Sequence, residues 1–81
     1  MERAIRNNKE LGKIIRLVRK NKKMRQIDVA KKASVRQALA SELENGATST
    51  KIDTIIKVLA ALDMDLTIVP RRKAEFDPRE Y

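Results

Sequence analysis

Apolar side chains recur at spacings of three and four through most of the chain, and the spacing falls to two near the C-terminal end. Leu11, Ile14, Ile15 and Val18 form one stripe, with Leu17 at its edge, and predict a helix over about residues 9–21. Asn7 or Asn8 is placed to cap it, and Glu10 lies in the first turn, where the helix dipole favours a negative charge. Asn21, Lys22 and Lys23 make a charged connector. Val29, Ala30 and Ala33 predict a second helix over about 26–33. Leu39, Ala40 and Leu43 predict a third over about 36–44, which Asn45-Gly46 stops. Ile52, Ile55, Ile56, Leu59 and Leu62 form a fourth stripe, with Val58 and Ala60 beside it, behind a Thr50 cap with Asp53 three residues on. That segment is one helix, or one helix and a short extra turn.

From Met64 to Val69 the pattern is that of a strand. Met64, Leu66 and Ile68 alternate with Asp63, Asp65, Thr67 and Val69, and Pro70 ends the run. A lone strand has no partner for its backbone groups within the monomer. It either pairs antiparallel with its copy across a two-fold axis or packs as an extended tail on the body. The expected fold is therefore mainly all-α, with four or five helices and one C-terminal β-strand that forms an antiparallel ribbon between subunits. The chain divides into an N-terminal arm (1–8), a helical domain (9–62), a dimerisation strand (63–70) and a charged, aperiodic tail (71–81). The arm is either disordered or a backward extension of the first helix. Phe76 and Tyr81 in the tail have no core to join and are candidates for anchoring in a partner protein.

The helices over 26–33 and 36–44 form the central unit. Ala30 is small where the two would cross, and Ser34 is small and polar at the bend, which suits two short helices meeting at a steep angle through a tight turn. With Ala40 and Leu43 inward, Arg36, Gln37 and Ser41 fall on the exposed face, with Ala38 near them. Arg can bond guanine O6 and N7, Gln can bond adenine N6 and N7, Ala can meet a thymine methyl, and Ser can donate or accept. These groups crowd the N-terminal end of the helix, the end that a groove-reading helix points at bases. Gln26, at the start of the preceding helix, can reach a phosphate or merely cap its helix. Asn45, Thr48, Ser49, Thr50 and Lys51 in the following loop are further candidates for phosphate contact. Glu42 fits poorly: a carboxylate near the groove repels phosphate unless it accepts from cytosine N4 or points to the flank.

Charge supports a polyanionic partner. Residues 1–35 hold 12 Lys/Arg against 3 Asp/Glu and residues 36–81 hold 7 against 8, together the net +8 of the chain. The plainer reading is a solvated basic face on the first helix. One Phe and one Tyr are too few for stacking on unpaired bases, which favours duplex DNA over single strands. With neither Cys nor His, the chain lacks thiol nucleophiles, imidazole bases and soft metal ligands, so enzymatic function, metal and cofactor are not expected. No apolar run reaches the roughly 20 residues that span a bilayer, and the N-terminus lacks a secretory core. The expectation is a cytoplasmic, nucleoid-associated protein. Eighty-one residues make a single small domain for which oligomerisation is a common support.

The run Met24-Arg25-Gln26-x-x-Val29-Ala30-x-x-Ala33-Ser34-Val35, followed by Ser41-x-Leu43-Glu44-Asn45-Gly46, resembles the phage-repressor (Cro/XRE-type) helix-turn-helix family across roughly residues 10–62. The resemblance implies an ion pair between Glu44 and Arg19. Arg36-Gln37-Ala38 and the Ala-Leu-Asp-Met-Asp-Leu-Thr-Ile segment further resemble the HipB-like antitoxins. That implies a homodimer on a palindromic operator, transcriptional repression of its own operon, and neutralisation of a HipA-type Ser/Thr kinase toxin through the tail. A free-standing regulator, or a protein-interaction module of the same fold with weak DNA binding, is the alternative; Glu42 and Leu39 favour the latter. Three departures from the family pattern carry expectations of their own. Ser34 stands where Gly is common and points to a differently shaped turn. Arg25 cannot cap as Thr or Ser would. Leu39 stands where Thr is frequent and offers only a dry contact on that face, and Ala40 stands where a larger aliphatic is usual, leaving the seam between the two helices underfilled by ~1–2 kcal/mol of burial.

Overall fold

The computed structural model describes residues 4–46 and 50–70. Among these residues there are four helices: α1 (Asn8–Asn21), α2 (Gln26–Ala33), α3 (Gln37–Glu44) and α4 (Ile52–Ala61). α3 packs on α1 and α2, and α4 packs on α2. Leu11 and Ile15 from α1, Val29 and Ala33 from α2, Leu43 from α3, and Val58, Leu59 and Ala61 from α4 with Leu62 beyond it form the core. Burying each large aliphatic here contributes about 1.5–3 kcal/mol. Ala30 and Ala40 are both buried as well.

The helix starts follow two different rules. Asn7 caps α1: its side-chain oxygen accepts from the Glu10 N–H at 2.9 Å, while Glu10 reaches back to the Arg6 N–H at 2.8 Å. At α2 the capping residue is Arg25, which has no acceptor to offer. Asp28 supplies the carboxylate and accepts from the Arg25 N–H at 2.8 Å. α3 and α4 begin at Arg36 and Lys51 without a side-chain cap. The helix start expected at Arg36 is thus its cap, and the Thr50 cap expected for α4 is displaced by one residue to Lys51.

Three helices end in the same way. Lys23, Ser34 and Asp63 all adopt left-handed backbone, with φ of 58°, 59° and 59°. The next residue in each case, Met24, Val35 or Met64, donates its N–H to a carbonyl five residues back, at 3.1, 2.9 and 2.8 Å. That residue is also apolar and packs against the core, as this closing motif favours. Ser34 therefore does not reshape the turn; it takes the conformation that glycine adopts freely. Gly46, at φ 84°, follows α3.

Two expectations about apolar faces change. Ile52 and Ile56, assigned to the inner stripe of α4, are 64% and 49% exposed, and Ile55, Val58, Leu59 and Leu62 face the core instead. α4 is apolar around most of its circumference, so periodicity alone cannot choose its inner side. Among the described residues there is no strand: the Met64 N–H closes α4, and the backbone of 65–70 pairs with none of them. Met64 lies against the core, whereas Leu66, Ile68 and Val69 are exposed, Ile68 almost fully.

Gly12 fixes the approach of α1 to α3. A Cβ at this position would lie 2.6 Å from the Leu43 carbonyl oxygen and press on that of Glu44. Glycine in a helix interior costs about 1 kcal/mol relative to Ala, and here it permits backbone-to-backbone contact.

Candidate nucleic-acid interface

The site begins with the turn at Ser34 and Val35, which sets α3 at an angle to α2. Arg36, Gln37 and Ala38 follow at once and are exposed; Ser41, one turn on, is half-buried, and Glu42 is exposed. The structure thus brings the four candidate base-reading residues onto the cap and first turns of one short helix. Leu39 is half-buried, and Ala40 is fully buried on the inner side.

The backbone-contact candidates are dispersed. Asn45 is exposed at the end of α3, Thr50 is half-buried, and Lys51 is exposed at the start of α4. Thr48, Ser49, Phe76 and Tyr81 lie outside the described residues. Gln26 is half-buried, and its side-chain nitrogen donates to Glu44 Oε1 at 3.2 Å. It is thus neither a simple cap nor a free surface amide.

Glu44 is the hub of this region. Arg19 donates to it twice, Nε to Oε2 at 2.6 Å and Nη2 to Oε1 at 3.1 Å, and donates from Nη1 to the Met24 carbonyl at 2.8 Å. The two side chains are 11% and 4% exposed. One cluster thereby joins the end of α1, the connector, the start of α2 and the end of α3. The Gln26–Glu44 bond spans 18 residues, so no local pattern announces it.

The surface charge is partly neutralised within the molecule. The Arg25 guanidinium donates from Nε and Nη2 to Asp28 at 3.1 and 3.0 Å. That bond, with the Arg25 backbone N–H, holds the Asp28 carboxyl below its ordinary range, and the same bond raises Arg25. Lys22 bonds Asp63 at 3.1 Å and lowers its carboxyl in turn, with the charge of Lys32 adding to the effect. Arg16, Lys20, Lys31, Lys32, Arg36 and Lys51 form no ion pair among the described residues. Arg36 and Lys51 are cations at the positive ends of helix dipoles, an unfavourable placement that an approaching phosphate relieves. An exposed groove-sized helix with hydrogen-bonding side chains at its tip, on a chain of net charge +8, can read bases while the surrounding cations hold phosphates.

Comparison with known proteins agrees with this geometry. The helix-turn-helix family matches over residues 15–69. Antitoxin HipB of Escherichia coli strain K12 is 30% identical over 71 residues, covering 88% of this chain and 81% of the relative. Antitoxin HipB of E. coli O6:H1 strain CFT073 is also 30% identical, over 88% of this chain and 76% of its own length. Among solved structures, the HipB chain of a HipB-O4 20mer complex superposes with a TM-score of 0.81 at 28% identity, over 88% of this chain and all of the other. A chain of a HipA-HipB-O2-O3 complex gives the same values. The restriction-modification controller protein C.AhdI of Aeromonas hydrophila shares the fold, with a TM-score of 0.67 over 72% of this chain and 88% of the other, at 22% identity.

Proposed function

Since the chain belongs to the helix-turn-helix family and is HipB-like within it, we propose that it is a dimeric, sequence-specific repressor and antitoxin. It binds a palindromic operator, represses its own operon and neutralises a HipA-type kinase toxin. The observation that carries this reading is the exposed Arg36-Gln37-Ala38 tip of α3, set by the Ser34 turn. Arg36, Gln37, Ala38 and Ser41 read bases. Gln26, Asn45, Thr48, Ser49, Thr50 and Lys51 hold the backbone. Two copies place their α3 helices about one turn of DNA apart. Met64, Leu66 and Ile68 belong to the segment that pairs the copies; exposure of Leu66, Ile68 and Val69 supports this, as an unpaired apolar edge gains by being covered. Phe76 and Tyr81 face the toxin, a role supported by the HipA-HipB assembly of a structural relative.

The test is binding to a duplex selected from a random library, against bulk random duplex, at physiological salt. Gln37→Ala should cost about 1–3 kcal/mol on the selected duplex and leave random-duplex binding unchanged. A uniform loss on all sequences would remove Gln37 from base reading. The exposed Glu42 carboxylate favours a second reading, a protein-binding module of the same fold. Equal wild-type affinity for selected and random duplexes would remove the sequence-specific reading and favour this one.

A further inference from the structure

We propose that Glu44 is a positioning residue for phosphate recognition: its buried carboxylate orients the Gln26 amide toward the backbone of bound DNA. The inference rests on the reading above in which Gln26 contacts phosphate.

An ionised carboxylate only accepts hydrogen bonds, so it can hold the nitrogen end of an amide and repels the oxygen end. Glu44 Oε1 takes one N–H of Gln26 at 3.2 Å, and this bond decides which way the amide faces. The Gln26 nitrogen carries a second hydrogen, and the residue is only half-buried, so a donor is left for a ligand at the start of α2. Glu44 is itself held by its neighbours. Arg19 grips both of its oxygens, and Arg19 is tied to the Met24 carbonyl. The orientation thus runs from the connector through Arg19 and Glu44 to the amide of Gln26, through bonds that all form on folding.

Arg19 has a second effect. A bare carboxylate one hydrogen bond from a phosphate contact would repel the phosphate. The guanidinium cancels that charge, so Glu44 can orient Gln26 without opposing DNA. A glutamine ordered before binding avoids the entropy loss of ordering at the interface, worth roughly 2- to 10-fold in affinity.

The experiment uses the full chain and a duplex selected by the wild-type protein, with single backbone phosphates replaced in turn by neutral methylphosphonates. Wild type should weaken at one phosphate per half-site where Gln26→Ala has lost its sensitivity. Glu44→Gln should bind the unmodified duplex roughly 2- to 10-fold more weakly and lose sensitivity at that same phosphate, while all others respond as in wild type. Combining Glu44→Gln with Gln26→Ala should weaken binding no further than Gln26→Ala alone. Glu44→Asp keeps the charge beside Arg19 but withdraws the oxygen from Gln26 by one methylene; it should give the same phosphate pattern if Glu44→Gln does not fold. A merely structural role for Glu44 would lower affinity with the phosphate pattern unchanged, and would overturn the inference. If Gln26→Ala itself keeps the wild-type pattern, the phosphate contact of Gln26 is absent, and the failure lies in the underlying reading.

Discussion

Gly12 and Ser34 are small residues with opposite tasks. Gly12 is needed because a neighbour's backbone occupies the place of its Cβ. Gly12→Ala should therefore destabilise the fold by about 1–3 kcal/mol despite the better helix propensity of Ala, as an overpacked contact with a carbonyl cannot swing aside. Urea denaturation measures the loss. Ser34 carries a Cβ in left-handed backbone that glycine enters without cost. Ser34→Gly should stabilise by about 0.5–1 kcal/mol, the strain relieved less the added freedom of the unfolded chain. Only one of these sites was legible beforehand. Ser34 stands at a recognisable bend, although its conformation was not foreseen. Gly12 looks like any helix-interior glycine until the end of α3 is laid across it. The same limit hid the bond from Gln26 to Glu44, whose partners meet only through the tertiary packing of α2 and α3.

At the scale of elements, helix ends were easier to read than helix faces. α2 runs from Gln26 to Ala33 as expected, since Asp28 is placed to reach back to its start and Ser34 to its stop. α4 shows the opposite case: Ile52, Ile55, Ile56, Val58 and Leu59 cover more than one side, and the core selects among them. The start of α2 has a pH dependence that follows from Asp28. Its carboxyl is held below the ordinary value of 3.8, chiefly by its bond to the Arg25 side chain. The stabilisation is complete above that value and is lost as pH falls through the lower folded one. Thermal melts should show wild type losing stability across that acid range, and Asp28→Asn should remove the part due to this carboxylate. Identical acid profiles for the two proteins would show that the bond has no net effect.

For the whole molecule, the alternation of Met64, Leu66 and Ile68 gives a period but no partner, because nothing among the described residues pairs with it. Leu66, Ile68 and Val69 face solvent in the single chain, as do Ile52 and Ile56 on α4. Among the described residues, no helix is long and apolar enough to cross a membrane. In the proposed assembly a second copy covers Leu66, Ile68 and Val69. Leu66→Pro removes a backbone donor from the pairing segment and should yield monomers in sedimentation velocity at concentrations where wild type is dimeric. A dimeric Leu66→Pro protein would move the interface elsewhere.

The shared ending of α1, α2 and α4 has a consequence for how the domain comes apart. Met24, Val35 and Met64 each close a helix with the backbone and enter the core with the side chain. Unwinding any of these helices from its C-terminal end means withdrawing a plug from the interior. The C-terminal turns of these three helices are therefore released only when the core itself opens. The Val35 plug lies one residue before Arg36, so it also anchors the tip of α3 that carries Arg36, Gln37 and Ala38. α1, α2 and α4 close at their C-terminal ends like stoppers in a vessel, and the exposed tip of α3 is presented from the rim of one of them.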